Sequence, residues 1–417
     1  KIIRKSRFSQ LSDWQFHGIV FLVAILIPVL FGVITSFNNR ANHSKPKTVQ
    51  NSTKPRISPN SVSNLPTLPT NGITEVKTLE GPITQGNNFP SQNSQQLSYS
   101  VITPPYLQES EKLNSVVKQV TDLAKKRNLP LDPLSITLID INNSTIAGYN
   151  QLIYRYPASV VKLFWMVILE AEIKQQGIQK TDFQDDLNKM ILNSDNNAAS
   201  RIVDLITDTK SFHNKLEGDK YVKWEHKRTS LNSFFTTANY GDINISQKTF
   251  PIPDLKMSEP EGTDLQIRGT DPKQPIRNQI TTDDAARLMY EIATSQAVAK
   301  DASKTMLNLL TRDLHPEAWK SANPDEFNPV KSFLGEGLTN ENVTFASKAG
   351  WTTSSREEVA YVATMDKSTS YILAIFGDDP AYGKSKTIFP QISKLVFEQM
   401  TCSRERSPHT CFKNSQG

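Results

Sequence analysis

The stretch YPASVVKLFWMVILEAE, Tyr156–Glu172, decides how the rest of the chain is read. Pro157 is tolerated at or just before the first turn of a helix but not inside one. From Val160 to Leu169 every residue except Lys162 is apolar, so the helix has no wet face and belongs in the middle of a domain. Ser159 opens it and Lys162 follows three residues on, a spacing that puts hydroxyl and ammonium on one helical face. A buried lysine is costly unless it is paired or its pKa falls, and a depressed pKa makes it a base able to activate a serine. The plainer reading makes Ser159 an N-cap and Lys162 a snorkelling side chain.

Ser-x-x-Lys alone decides nothing, because it occurs three times: Ser44–Lys47, Ser115–Lys118 and Ser159–Lys162. The first lies in a polar tract and the second on the wet face of an amphipathic helix. Only the third opens a buried helix.

The 417 residues suffice for one large domain with accessories, and the net charge of +5 is modest. No compact basic run with interleaved aromatics points to nucleic acid. Gly18–Phe37 is a run of twenty uncharged residues, long enough to cross a bilayer as a helix. Lys1, Arg4, Lys5 and Arg7 precede it, so residues 1–17 are expected in the cytoplasm and the remainder outside. TSFNN is a poor cleavage site, which favours an uncleaved anchor over a signal peptide. Residues 38–105, rich in Ser, Asn, Thr, Pro and Gln, read as a disordered tether. The two cysteines, Cys402 and Cys411, sit in a tail spanning 402–417. They permit a disulfide in an oxidising compartment, or stand as unrelated thiols.

Residues 106–401 carry the periodicities of one folded domain. An amphipathic helix is expected over 107–128, then a hairpin of Ser135–Ile141 and Thr145–Tyr149, then the buried helix. Ser194-Asp195-Asn196 interrupts a helical stretch that resumes over Asn197–Ile206. Residues 208–280 read as long, polar and loop-rich. Thr281 or Thr282 caps a helix, and another runs from about Ala302 to Thr311. Strands are expected at Val343–Lys348, Glu357–Met365 and Tyr371–Gly377, before a closing helix at Ile388–Met400. The fold class that follows is α+β: a five-stranded antiparallel sheet packed with helices, with an all-helical half inserted.

Three motifs thus stand in order: Ser159-x-x-Lys162, Ser194-Asp195-Asn196 and Lys348-Ala349-Gly350, the last followed by Trp351-Thr352. Together they resemble the SxxK, SDN and KTG signature of penicillin-recognising serine enzymes, with class A β-lactamases the nearest match. The resemblance covers roughly residues 107–401. It implies Ser159 as the nucleophile on a β-lactam or cell-wall peptide carbonyl, Lys162 as the group that takes or relays its proton, and Ser194 as a proton shuttle to the leaving nitrogen. It implies Asn196, Lys348, Gly350 and Thr352 as substrate-binding positions, and backbone N–H groups of Ser159 and of the strand just past Gly350 as an oxyanion hole. Neither metal nor cofactor is implied, and a monomer is expected.

The departures from that pattern matter. The first two motifs are only 35 residues apart, and Ala349 stands where Thr or Ser is usual. Class A enzymes position the hydrolytic water with a Glu-Pro-Glu-x-x-Asn-type loop. Glu259-Pro260-Glu261 stands in the corresponding segment without the following Leu-Asn, so Glu259 is the candidate for deacylation. The primary expectation is therefore a membrane-anchored class A-like β-lactamase. The alternatives are a penicillin-binding protein or D-alanyl-D-alanine carboxypeptidase, and a degenerate binding domain.

Overall fold

The computed structural model describes residues 97–176, 180–320 and 327–402. The expected cytoplasmic tail, the span Gly18–Phe37 and most of the tether lie outside these residues, as does Cys411. Among the described residues no helix is long and apolar enough to cross a membrane. Cys402 is disulfide-bonded.

Strand β1 (Gln108–Glu109) precedes helix α1 (Glu111–Lys126). Ser110 caps that helix, its hydroxyl accepting from Leu113 N–H at 3.3 Å. Strands β2 (Leu134–Asp140) and β3 (Thr145–Tyr149) form the expected hairpin. A 3₁₀ turn at Ala158–Val160 leads into α2 (Val161–Gln176). Helices α3 (Gln184–Leu192), α4 (Asn196–Thr207), α5 (Gly218–Thr236), α6 (Gly262–Gln266), α7 (Thr282–Ala293), α8 (Lys300–Leu310) and α9 (Pro316–Trp319) build the helical half. Strands β4 (Val343–Thr352), β5 (Ser355–Thr364) and β6 (Ser370–Gly377) return to the sheet, followed by α10 (Pro380–Lys384) and α11 (Ile388–Thr401).

The sheet has six strands in the order β1-β3-β2-β6-β5-β4, not five, and it is mixed, because β1 runs parallel to β3. The extra strand is two exposed residues long, too short to carry an alternation in sequence. For the same reason the first helix starts at Glu111 rather than 107. Both faces of the sheet are covered. Leu113, Val117 and Val120 of α1 pack with Ile392 and Val396 of α11 on one side. Helix α2 and the helical half, with Ile372, Ala374 and Phe376 of β6, fill the other.

Helix α2 is the centre of that second core: Leu163 through Leu169 are 0–2% exposed. Fully burying each such side chain stabilises by roughly 1.5–3 kcal/mol, which together outweighs the cost of carrying Lys162 inside. Two expectations are corrected here. Residues 208–280 contain a 19-residue helix, α5, whose lysines erase the apolar stripe that would have announced it. The folded domain also reaches back before residue 106. Tyr99 is buried against Phe234, Phe235 and Tyr240, and its hydroxyl donates to Glu291 at 2.7 Å. Tyr240 donates to the same carboxylate at 2.6 Å and Arg287 at 2.8 Å, so this buried charge is paired and fully bonded.

Candidate active site

The first motif is presented by a strained turn. Ala158 has φ of 43°, a left-handed conformation unusual for a residue with a Cβ. Such strain costs on the order of 1–3 kcal/mol and persists where surrounding structure over-determines it. The constraint comes from β4. A Cβ on Gly350 would lie 2.9 Å from Pro157 O and from Ser159 N. Gly350 is thus required by the close approach of the strand to the Ser159 turn.

The second motif is a helix cap. Asp195 is the N-cap of α4, accepting from Ala198 N–H at 2.7 Å. Ser194, with φ of 56°, turns the chain out of α3. This cap aims the residues on either side of Asp195 at Lys162. The Lys162 ammonium donates to Asn196 Oδ1 at 2.8 Å, to the Ser194 carbonyl, and to Ser194 Oγ at a long 3.4 Å.

The third motif completes the cluster. Lys348 is 1% exposed and donates to Ser194 Oγ at 3.0 Å and to Ala349 O at 2.7 Å. Its Nζ also lies 5.8 Å from the Phe327 ring. Burial holds the Lys162 pKa down at about 7, against the pull of Asp195. Burial lowers Lys348 well below the usual lysine range, helped by the charges of Lys162 and Arg312 and opposed by Glu358. Behind Lys348, Arg312 donates to Ser347 O at 3.0 Å and Ile191 O at 2.9 Å, tying β4 to α3. Burial brings Arg312 to about 10 and lifts Glu358 to about 7.

Ser159, Ser194, Asn196 and Thr352 line one cleft of about 230 Å³, with Tyr156, Phe250, Phe327 and Trp351 as aromatic walls. Thr352 Oγ1 lies 2.9 Å from Ser355 Oγ, at the end of β4. Lys162 and Lys348 are buried beneath the cleft rather than part of its lining. Among the described residues no hydrogen bond joins Ser159 Oγ to Lys162 Nζ.

Glu259 stands apart. It is exposed and does not line the cleft. Its neighbour Glu261 accepts from His213 Nδ1 at 2.9 Å, at the surface. The cleft wall is made instead by Thr249, Phe250 and Pro251. Thr249 Oγ1 donates to Asn196 Oδ1 at 2.8 Å, joining the network that holds Lys162. Sequence reasoning missed Thr249. It carries no motif, and its partner lies 53 residues away in sequence. Among the described residues no group of three His, Cys, Asp or Glu side chains is disposed to hold a metal ion.

Comparison with known proteins agrees with the class that this arrangement defines. Residues 174–400 match the family model described as the beta-lactamase enzyme family, and the chain belongs to that family. The match takes in Ser194, Asn196 and Lys348, and begins after Ser159 and Lys162. No curated protein matches the chain. Among solved structures, a beta-lactamase from Sphaerobacter thermophilus is similar at 17% identity and a TM-score of 0.47, over 70% of this chain and 98% of that one. A protein titled PBP-A is similar at 15% identity and a TM-score of 0.47, over 71% and 98%. A beta-lactamase from Chitinophaga pinensis follows at 11% identity and 0.47, over 68% and 99%. These likenesses are too distant to speak to activity.

Proposed function

We propose that this domain is a serine acyl-enzyme former of the penicillin-recognising type, with Ser159 as the nucleophile. The observation that carries the reading is the placement of Lys162. It lies three residues from Ser159, is fully buried, and has its pKa brought down to about 7, so that a large fraction is neutral near pH 7, while it is bonded to both Ser194 and Asn196. In the proposed reaction neutral Lys162 accepts the Ser159 Oγ proton as the oxygen adds to a β-lactam or peptide carbonyl. The Ser194 hydroxyl, in contact with both lysines, then takes that proton from Lys162 as it gives its own to the leaving nitrogen and the C–N bond breaks, which returns Lys162 to the neutral form. Backbone N–H groups at Ser159 and just past Gly350 are suited to the developing oxyanion.

Slow release of the acyl group, the behaviour of a penicillin-binding protein, fits the cleft better than rapid β-lactamase turnover. Among the described residues no carboxylate lines it, and Thr249 and Phe250 occupy the wall beside Asn196. Hydrolysis of the ester then relies on Lys162 as its base. The reading also places the domain outside the cytoplasmic membrane, held there by Gly18–Phe37. A disulfide at Cys402 suits such an oxidising setting.

The test is to follow released product and protein-bound acyl group together after mixing with benzylpenicillin. A long-lived adduct with at most about one product per enzyme supports the slow-release reading. Many turnovers with a fleeting adduct make the protein a β-lactamase. Neither adduct nor product removes the serine-enzyme reading.

A further inference from the structure

Away from Ser159, the first half of α5 and the preceding segment 208–216 line a second pocket of about 520 Å³, open to the surface. It shares no lining residue with the cleft. Its apolar surface comes from Phe212, Leu216 and Trp224. The indole N–H of Trp224 is committed to Lys210 O at 2.8 Å, so Trp224 offers the cavity only its ring.

The rim is cationic. Lys220, Lys223 and Lys227 recur along α5 at a spacing that puts them on one face with Trp224, and Lys210 faces them from the segment before the helix. Among the described residues Asp208 is the only acid in the lining, and it is already paired with Lys227. Among the same residues no carboxylate pairs with Lys210, Lys220 or Lys223. Like charges gathered round a concavity repel one another and focus a positive potential into it.

The cavity is also preformed. Phe212 N–H donates to Thr263 Oγ1 at 3.1 Å, and Thr263 N–H to Phe212 O at 3.2 Å. Leu216 exchanges two bonds of 2.8 Å with the Gln266 side-chain amide. Gly262, at φ of 46°, lets the wall sit where a Cβ would lie 1.9 Å from Phe212 O. A rigid concavity with an apolar floor and unpaired charges at its mouth is the form of a small-ligand site.

From this we infer a second, non-catalytic binding site for an organic anion: a phosphate or carboxylate group met by Lys210, Lys220 and Lys223, joined to an apolar or aromatic portion lying on Phe212, Leu216 and Trp224. A soluble metabolite and a lipid headgroup with its first methylenes share this chemistry.

The probe is 1-naphthyl phosphate, titrated calorimetrically into the full chain, with 1-naphthol and inorganic phosphate as single-feature controls. One site per chain is expected, with each control binding at least tenfold more weakly. The double variant Lys220→Gln/Lys223→Gln, both positions exposed, should bind at least tenfold more weakly while still acylating Ser159 at the wild-type rate, which verifies its fold. A second arm measures retention on phosphatidylglycerol vesicles against phosphatidylcholine vesicles. An excess of retention on phosphatidylglycerol over phosphatidylcholine that the double variant loses supports the site and assigns a lipid source, whereas binding of the soluble probe without that excess supports it and assigns a soluble one. The inference is overturned by no binding of 1-naphthyl phosphate, by equal binding of 1-naphthol, or by unchanged affinity in the double variant.

Discussion

Lys162 and Lys348 converge on one hydroxyl: Ser194 Oγ lies 3.4 Å from the first ammonium and 3.0 Å from the second. Two buried amines this close cannot both hold their protons cheaply, and each is lowered by burial. Lys162, with its pKa brought to about 7, is therefore partly neutral near neutral pH, which is what proton transfer from Ser159 requires.

The acylation rate should follow that titration. Lys162 is a base only when neutral, and its pKa is about 7. Acylation by benzylpenicillin should rise through pH 7 and fall roughly tenfold per pH unit well below it, measured by stopped-flow adduct formation. A flat profile from pH 5 to 8 would show that Lys162 is not the base.

Stability should show the same group with a defined sign. The folded-state pKa of Lys162 lies below its unfolded value of 10.5, so between about 7 and 10.5 the unfolded chain binds the extra proton. Stability therefore rises with pH through that window, and the cost of burying the amine is greatest at pH 7 and below. Lys162→Met should abolish acylation yet raise stability by up to a few kcal/mol at pH 7, since each tenfold loss of proton affinity on folding costs about 1.4 kcal/mol. The gain should shrink as pH approaches 10. Denaturant melts at pH 7 and 9.5 check it.

Of Glu259 and Thr249, only the second should matter to acylation. Glu259→Gln, at an exposed site outside the cleft, should leave acylation and acyl release within about twofold of wild type. Thr249→Val removes the hydrogen bond to Asn196 Oδ1, worth roughly 0.5–1.5 kcal/mol, and should slow acylation about three- to tenfold. A tenfold loss of acyl release in Glu259→Gln would bring that residue back into the chemistry.

Gly350→Ala should damage the site through its backbone. The new methyl meets Pro157 O and Ser159 N at 2.9 Å, so the turn or the strand must move. Overpacking of this kind costs about 1–3 kcal/mol, and displacing Ser159 should reduce acylation more than tenfold. Thermal melting and the acylation rate, measured together, separate the two effects.

The parts of the fold legible in the sequence are those with local signatures. The unbroken apolar run after Ser159 placed α2 in the core. Thr281, with Asp283 and Asp284 in the first turn, announced α7, where the structure forms a capping box. The three motifs are short and contiguous, so each was visible before the fold brought Ser194 between Lys162 and Lys348. What escaped notice depends on distant contacts. Strand β1 exists only because two residues reach β3. Helix α5 hides its period under lysines, and Thr249 becomes a site residue only by touching Asn196. Glu259 shows the converse: a local Glu-Pro-Glu match whose side chain lies exposed, outside the lining of the cleft.

The most direct test is the intact mass of the full chain after benzylpenicillin treatment, with Ser159→Ala beside it. If Ser159 is the nucleophile, one penicilloyl group is added per wild-type chain, mapped to the peptide carrying Ser159, and none to the variant. An unmodified wild-type chain that also releases no product, or an adduct that survives Ser159→Ala, would contradict that assignment.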